Sequence, residues 1–243
     1  MNIELLTPII TRGVRTLDDV RPLEHENLKI THCLLESGPA SIESKFDEAL
    51  AVPDTLRKAI EAERNGAGAV VIDCMGDPGL HACREAVSIP VLGAGQTAMH
   101  LASMLGHRFS FITVLDRIRP MVEDLVSAYG LREKYASFQA VDIPVLELTH
   151  DLDVLNDALA EKAMVSIEQD GADIVVLGCT GFLGCAEAMR ASLLTRGYDV
   201  PVIDPIPATV LVAEALIKAG ISHSKHAYPC PEKKPIAGYD LSP

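Results

Sequence analysis

Two cysteines stand where a thiol can do chemistry. Cys74 closes the apolar run Ala69-Val70-Val71-Ile72-Asp73, and Cys179 closes Ile174-Val175-Val176-Leu177-Gly178. Small or turn-forming residues follow each, Met75-Gly76-Asp77 and Thr180-Gly181. A free thiol titrates near pH ~8.5, so a modest downward shift makes thiolate available at neutrality. Two such groups facing one carbon can invert it. One thiolate removes a proton from a carbon next to a carbonyl, and the opposite thiol returns a proton to the other face. The enolate oxygen formed in between must be held by donors. Backbone N–H groups of Met75, Gly76, Thr180 and Gly181 are the expected donors, with the Thr180 hydroxyl in support. A single buried cysteine at a strand end is more often packing than catalysis. The matched pair carries the functional reading. Cys33, Cys83, Cys185 and Cys230 lack the echo and read as structural or incidental.

The elements that must position these thiols alternate along the chain. Ile3 to Leu6, Leu28 to Cys33, Ala69 to Cys74, Pro90 to Leu92, Phe109 to Leu115, Ile174 to Gly178 and Val200 to Ile203 read as strands. Several are almost wholly apolar, as parallel strands covered on both faces are. Between them lie the amphipathic stretches 47–65, 95–105, 120–129, 152–170 and 208–219, which predict helices. This alternation means an α/β protein with mostly parallel sheets. Asn65-Gly66, Asp170-Gly171 and Ala219-Gly220 are helix stops, and Asp77-Pro78 reads as a helix start. Each cysteine segment follows a long helix and precedes a helix, a short strand and another helix. The chain therefore reads as two similar lobes, each presenting a cysteine beyond the carboxyl end of a buried strand, where open α/β sheets bind ligands. A helix N-terminus after each cysteine would favour thiolate and hold an anionic oxygen.

Composition narrows the function classes. The charge is −13, which repels phosphate backbones and argues against nucleic acid as a partner. The start, Met1-Asn2-Ile3-Glu4-Leu5-Leu6, has no basic region before an apolar run, and no stretch of about 18 uninterrupted apolar residues exists, so neither a signal peptide nor a membrane partner is expected. A cytoplasmic protein with reduced cysteines follows. The cysteine spacings fit no zinc framework, so no metal is expected.

Other residues have blander readings. Asp73 is unusual inside an apolar strand; a buried carboxylate needs partners, and a hydrogen bond across the sheet is favoured over tuning of Cys74. His100, His107 and His81 read as structural, capping and surface residues. Gly93-Ala94-Gly95 lacks the rest of a dinucleotide fingerprint and reads as a tight turn between lobes, matched by Asp204-Pro205-Ile206-Pro207. The tail from Ser222, with Pro229, Pro231, Pro235 and Pro243, reads as an extended arm lying on its own lobe or reaching a neighbouring subunit.

The stretches Val71 to Leu80, Gly93 to Ala102, Leu105 to Phe109 and Val176 to Gly181 resemble the aspartate/glutamate racemase superfamily, and within it the hydantoin racemase branch. The resemblance covers most of the chain. It implies two α/β lobes with an active site in the cleft between them, residues 1–95 completed by about 206–243 forming one and 96–205 the other. It also implies Cys74 and Cys179 as catalytic residues, no cofactor, a small-molecule substrate and a homo-oligomer. Relatives carry Asn-Pro-Asn after the first strand, where this chain has Thr7-Pro8-Ile9; Thr7 and Pro8 are carried over as substrate contacts. Thr113 occupies a substrate-contacting position of the family, with Val114 where a second Thr is common, and Gln96 replaces a frequent Glu. The bland reading of Thr113 is a strand-end hydroxyl bonding backbone. The implied activity is racemisation of a 5-substituted hydantoin or related ureide. The alternatives are an amino-acid racemase of the aspartate/glutamate type, a maleate-type cis–trans isomerase using one cysteine as nucleophile, and a non-catalytic binder of the same fold.

Overall fold

The computed structural model describes residues 1–148, 150–232 and 234–239. The chain divides into two compact units: Met1–Ala94 with the described part of Thr209–Pro243, and Gly95–Ala208.

The first unit holds β1 (Asn2–Thr7), β2 (Lys29–Leu34), α1 (Lys45–Arg64), β3 (Ala69–Ile72), α2 (Leu80–Ala86) and β4 (Val91–Gly93). The second holds α3 (Ala94–Leu105, starting one residue before the unit boundary), β5 (Phe109–Thr113), α4 (Arg119–Ala128), β6 (Tyr135–Ala140), α5 (Leu152–Glu168), β7 (Ile174–Leu177) and β8 (Val202–Ile203). The last helix, α7, runs Pro205–Ala219, after α6 (Cys185–Thr195). Each unit has one four-stranded sheet, ordered β2-β1-β3-β4 and β6-β5-β7-β8, and every pairing is parallel. The two orders are the same order: β5 corresponds to β1, β6 to β2, β7 to β3 and β8 to β4. The echo between the cysteine segments is thus the trace of one topology used twice.

The sequence dictates this locally. β3 (AVVI) and β7 (IVVL) are buried along their whole length, so no polar face is needed. Helices packed over the sheets supply the other half of each core. Leu6, Ile60, Val70, Ile72, Leu80 and Val91 cluster in the first unit, with Cys74 packed against them. Ile112, Leu159, Val175, Leu177, Phe182 and Met189 cluster in the second, with Cys179 against them. Fully burying one such aliphatic side chain is worth roughly 1.5–3 kcal/mol, so the cores outweigh any single polar contact.

Four expectations need correction. Strand β6 was absent from the sequence reading because it is an edge strand with four half-buried positions, so its apolar signal is weak. The Asp77-Pro78 pair does not start a helix. Asp77 has φ +50°, and α2 begins at Leu80 behind Gly79 in the left-handed conformation. Gly93-Ala94-Gly95 is not a free turn either: β4 ends at Gly93 and α3 begins at Ala94, with no loop between them. Likewise α7 begins at Pro205, since proline suits the first helical turn.

The tail lies along the first unit as far as it was expected to pack on its own lobe. Lys225 Nζ donates to the carbonyls of Arg84, Glu85 and Val87 at 2.8, 3.1 and 2.6 Å, capping the end of α2. His223 Nε2 accepts the Val91 N–H at 2.7 Å, and Tyr228 packs against His81 and Arg84. Pro243 lies outside the described residues. No helix among the described residues is long and apolar enough to cross a membrane.

Candidate active site

Cys74 and Cys179 do not sit in strands; each opens the loop after one. The ladder of β3 runs one residue past the strand, through the Asp73 N–H to the Leu6 carbonyl at 2.8 Å. The ladder of β7 does the same, through the Gly178 N–H to the Ile112 carbonyl at 2.6 Å. The chain then folds through two successive turns in each unit. The Asp77 N–H reaches the Cys74 carbonyl at 3.1 Å and the Leu80 N–H the Asp77 carbonyl at 3.2 Å. The Phe182 N–H reaches the Cys179 carbonyl and the Cys185 N–H the Phe182 carbonyl, both at 3.2 Å. Gly79 and Gly184, each five residues past its cysteine, both have φ +75° and lead into α2 and α6. A side chain at either would be strained in that region. Both loops therefore share one pattern of turns ending in a left-handed glycine, although Asp77 takes a positive φ where Phe182 does not.

This geometry changes the electrostatic argument. Neither cysteine lies at a helix N-terminus, because five residues separate each from the first helical residue. The stabilising group is closer. The Gly181 N–H donates to Cys179 Sγ at 3.3 Å, and a hydrogen bond to the charged form of a thiol favours that form. Gly76 occupies the same place in the first loop: a Cβ built there would lie 3.7 Å from Cys74 Sγ, against 3.4 Å from Cys179 Sγ at Gly181. Both thiols are half-buried.

The other thiols are placed differently. Cys83 is buried, and burial pushes its pKa up to about 12; burial pushes Cys185 up to about 11. Burial, with Glu4 nearby, also pushes the Cys33 thiol up. Cys230 is exposed on the tail. A thiol held so far above neutrality is inert as a base or nucleophile.

The remaining expected site residues lie on these loops or directly beneath them. Met75 is buried, whereas Gly76, Thr180 and Gly181 are half-buried. Pro8 is buried just past β1. Thr7 and Thr113 are the last residues of β1 and β5, and both are buried. Thr7 Oγ1 donates to Asp73 Oδ2 at 2.6 Å and takes a hydrogen bond from His32 Nε2 at 2.9 Å. Thr113 Oγ1 donates to the Gly178 carbonyl at 2.8 Å. Asp73 thus bonds across the sheet, the favoured reading of that residue. Its carboxylate is also ion-paired with Arg15, whose Nε lies 2.9 Å from Oδ2, and Arg15 forms a two-pronged pair with Asp19 at 2.9 and 3.0 Å. His32 ends this chain of contacts; burial lowers its pKa against the pull of Asp73, consistent with a neutral ring whose Nε2 proton faces Thr7. Sequence reasoning missed Arg15, Asp19 and His32. Arg15 and Asp19 lie in an irregular segment and His32 on edge strand β2, where no periodicity marks a buried partner.

The two loops differ in what surrounds them. Asp73 and Asp77 flank Cys74, whereas Gly178 and Phe182 hold the matching places around Cys179. The Asp77 carboxyl lies directly over Gly93, so closely that no Cβ fits there. His100 Nδ1 bonds the Gln96 carbonyl at 2.7 Å within its own helix, and the His107 N–H is held by Asp173 at 2.9 Å. Neither histidine is part of a cysteine loop.

Known proteins carry the same framework. The family model described as Asp/Glu/Hydantoin racemase matches residues 14–213. A hydantoin racemase from Rhizobium meliloti is 37% identical over 244 residues, covering 99% of this chain and 99% of that protein. A hydantoin racemase from Pseudomonas sp. (strain NS671) is 35% identical, covering 98% and 95%. The structure of allantoin racemase from Klebsiella pneumoniae superposes with a TM-score of 0.91 at 32% identity, covering 98% of this chain and 96% of that one. With one parallel topology used twice, a cysteine opening the same loop in each copy, and relatives aligned from end to end, the chain belongs to the Asp/Glu/Hydantoin racemase family.

Proposed function

We propose that the protein is a cofactor-independent racemase of a 5-substituted hydantoin or related ureide, with Cys74 and Cys179 as its two bases. The observation that carries this reading is the duplicated loop, which presents a half-buried thiol beyond the carboxyl end of β3 and again of β7. The family relationship and the names of the similar hydantoin and allantoin racemases support the substrate class.

The chemistry follows from the groups present. The carbon to be inverted carries a hydrogen made acidic by the neighbouring ring carbonyl. One thiolate takes that hydrogen as a proton, and the electron pair moves into the carbonyl to give an enolate. The other cysteine, as thiol, delivers its proton to the opposite face, and the electron pair returns to form the new C–H bond. The two cysteines end with exchanged protonation states, ready for the reverse turnover. The Gly181 N–H lowers the cost of the thiolate at Cys179, and Gly76 is placed to do the same at Cys74. Backbone N–H groups of Met75 and Thr180 and the Thr180 hydroxyl are the donors for the enolate oxygen.

The test is a substrate panel. One enantiomer each of allantoin, several 5-substituted hydantoins, aspartate and glutamate, together with maleate, is incubated with the protein. Optical rotation is followed, and for maleate the appearance of fumarate. Loss of rotation with a hydantoin or ureide, and none with the amino acids, is expected. Turnover of maleate or of amino acids alone would overturn the substrate assignment.

A cytoplasmic setting fits the free state of all the cysteines. Assembly into a homo-oligomer fits the exposed apolar side chains Phe46 and Leu50, one turn apart on α1.

A further inference from the structure

The last residues of β1 and β5 are both threonines, and each donates its hydroxyl proton to the residue just before a cysteine. Thr7 donates to the Asp73 side chain at 2.6 Å, and Thr113 to the Gly178 backbone carbonyl at 2.8 Å. In both units that same residue is also the last one held by the strand ladder, through its N–H to Leu6 or Ile112. The next residue along the backbone is Cys74 or Cys179. Each thiol therefore leaves the sheet from a residue pinned twice, once through backbone and once through a buried hydroxyl.

We propose that Thr7 and Thr113 are positioning residues, each fixing the aim of one catalytic thiol, rather than groups that touch substrate. This rests on the reading of Cys74 and Cys179 as the two bases. Three features on the page support it. Both hydroxyl protons are already spent on protein acceptors, and a hydroxyl has only one to give. Both residues are buried, Thr113 completely. The arrangement occurs twice with different acceptors, a carboxylate in one unit and a carbonyl in the other, so what the units share is the pinning and not the chemistry of the acceptor. The first brace is reinforced by an ion pair: Arg15 holds Asp73, and the side chains of both are all but sealed from solvent, at 3% and 0% exposure. The second is reinforced by contact. Gly178 sits so close to Phe111 and Thr113 that a Cβ would run into the Phe111 ring and lie 2.8 Å from Thr113 Cβ.

A thiol that acts on a carbon must reach it within a narrow range of distance and angle, and small misplacements are expensive. Removing a brace should lower the rate of proton transfer while leaving affinity alone. A lost substrate contact would do the reverse and raise KM.

The experiment uses the whole protein and reads each sulfur separately. Wild type, Thr7→Val and Thr113→Val are treated with iodoacetamide without substrate across a range of pH. Alkylation at Cys74 and Cys179 is quantified by peptide mass spectrometry, and kcat and KM are measured in parallel. Thr113→Val is expected to change the alkylation rate of Cys179 about three- to tenfold, the worth of one hydrogen bond, with Cys74 unaffected. Thr7→Val should do the same to Cys74 alone. In each variant kcat should fall by about the same factor with KM within about twofold. Thr7→Ser and Thr113→Ser keep the hydroxyl and should restore the rates. Should a valine variant fail to fold, the alanine variant, which places no extra methyl against the acceptor, carries the same expectation. Unchanged alkylation of both sulfurs, or a raised KM with kcat intact, would overturn the proposal. Activity that survives alkylation of both cysteines in the wild type would instead overturn the two-thiol reading itself.

Discussion

At the scale of single residues, two carboxylates, Asp73 and Asp77, flank Cys74 where Gly178 and Phe182 flank Cys179, and the difference has measurable consequences. Arg15→Met would leave the Asp73 carboxylate sealed in the protein without its guanidinium partner. Breaking a buried pair from one side costs about 3–5 kcal/mol, so the urea midpoint should fall strongly. Asp73→Asn should cost less, because Arg15 keeps its two-pronged pair with Asp19. Equal losses in the two variants would contradict the ordering of these contacts. In the other unit, Gly178→Ala must displace the Phe111 ring or the Thr113 side chain. Overpacking of this kind costs about 1–3 kcal/mol, read as a lower urea midpoint, and it should also disturb the aim of Cys179. At this scale the two cysteines were legible in the sequence because their type and repeated context coincide. The partners of Asp73 were not: a buried Arg15 in an irregular segment looks like any solvated charge until the fold closes over it.

At the scale of elements, the tail holds the end of α2 and the start of β4, which follow the Cys74 loop in the first unit. Lys225 caps α2, and His223 accepts the Val91 N–H, so its Nε2 must be unprotonated. Burial first, and then the charge of Arg84, lower the His223 pKa to about 4. Its ordinary value is about 6.5, so between those limits the unfolded chain binds more protons than the folded one. Stability should therefore decline as pH drops from about 6.5 toward 4, and His223→Gln should flatten that decline. A pH profile of the melting temperature identical in the two proteins would exclude this linkage. Lys225→Met removes the positive end of the cap and should cost about 1 kcal/mol, seen as a lower melting temperature. The central strands were readable because four consecutive aliphatic residues leave little else to be. β6 was not, because an edge strand needs only one good face. The start of α2 was misread because Asp-Pro normally opens a helix. Here Asp77 takes a positive φ and turns its carboxyl onto Gly93, and the opening falls to Gly79.

At the scale of the whole molecule, one parallel topology appears twice and delivers one thiol each time. Two separate bases leave an isotopic signature that a single base does not. In deuterium oxide both thiols exchange with solvent, so the sulfur that reprotonates the carbon carries deuterium. A single enantiomer of the hydantoin or ureide identified by the substrate panel is mixed with the protein in deuterium oxide and sampled early by chiral separation and mass spectrometry. An enzyme-free control corrects for spontaneous exchange. The expected result is a product enantiomer fully deuterated at its inverted carbon beside unreacted substrate that still carries hydrogen. Cys74→Ser and Cys179→Ser should each abolish racemisation. Early product that retains the substrate's hydrogen, or near-normal racemisation in either serine variant, would contradict a reaction carried by both thiols.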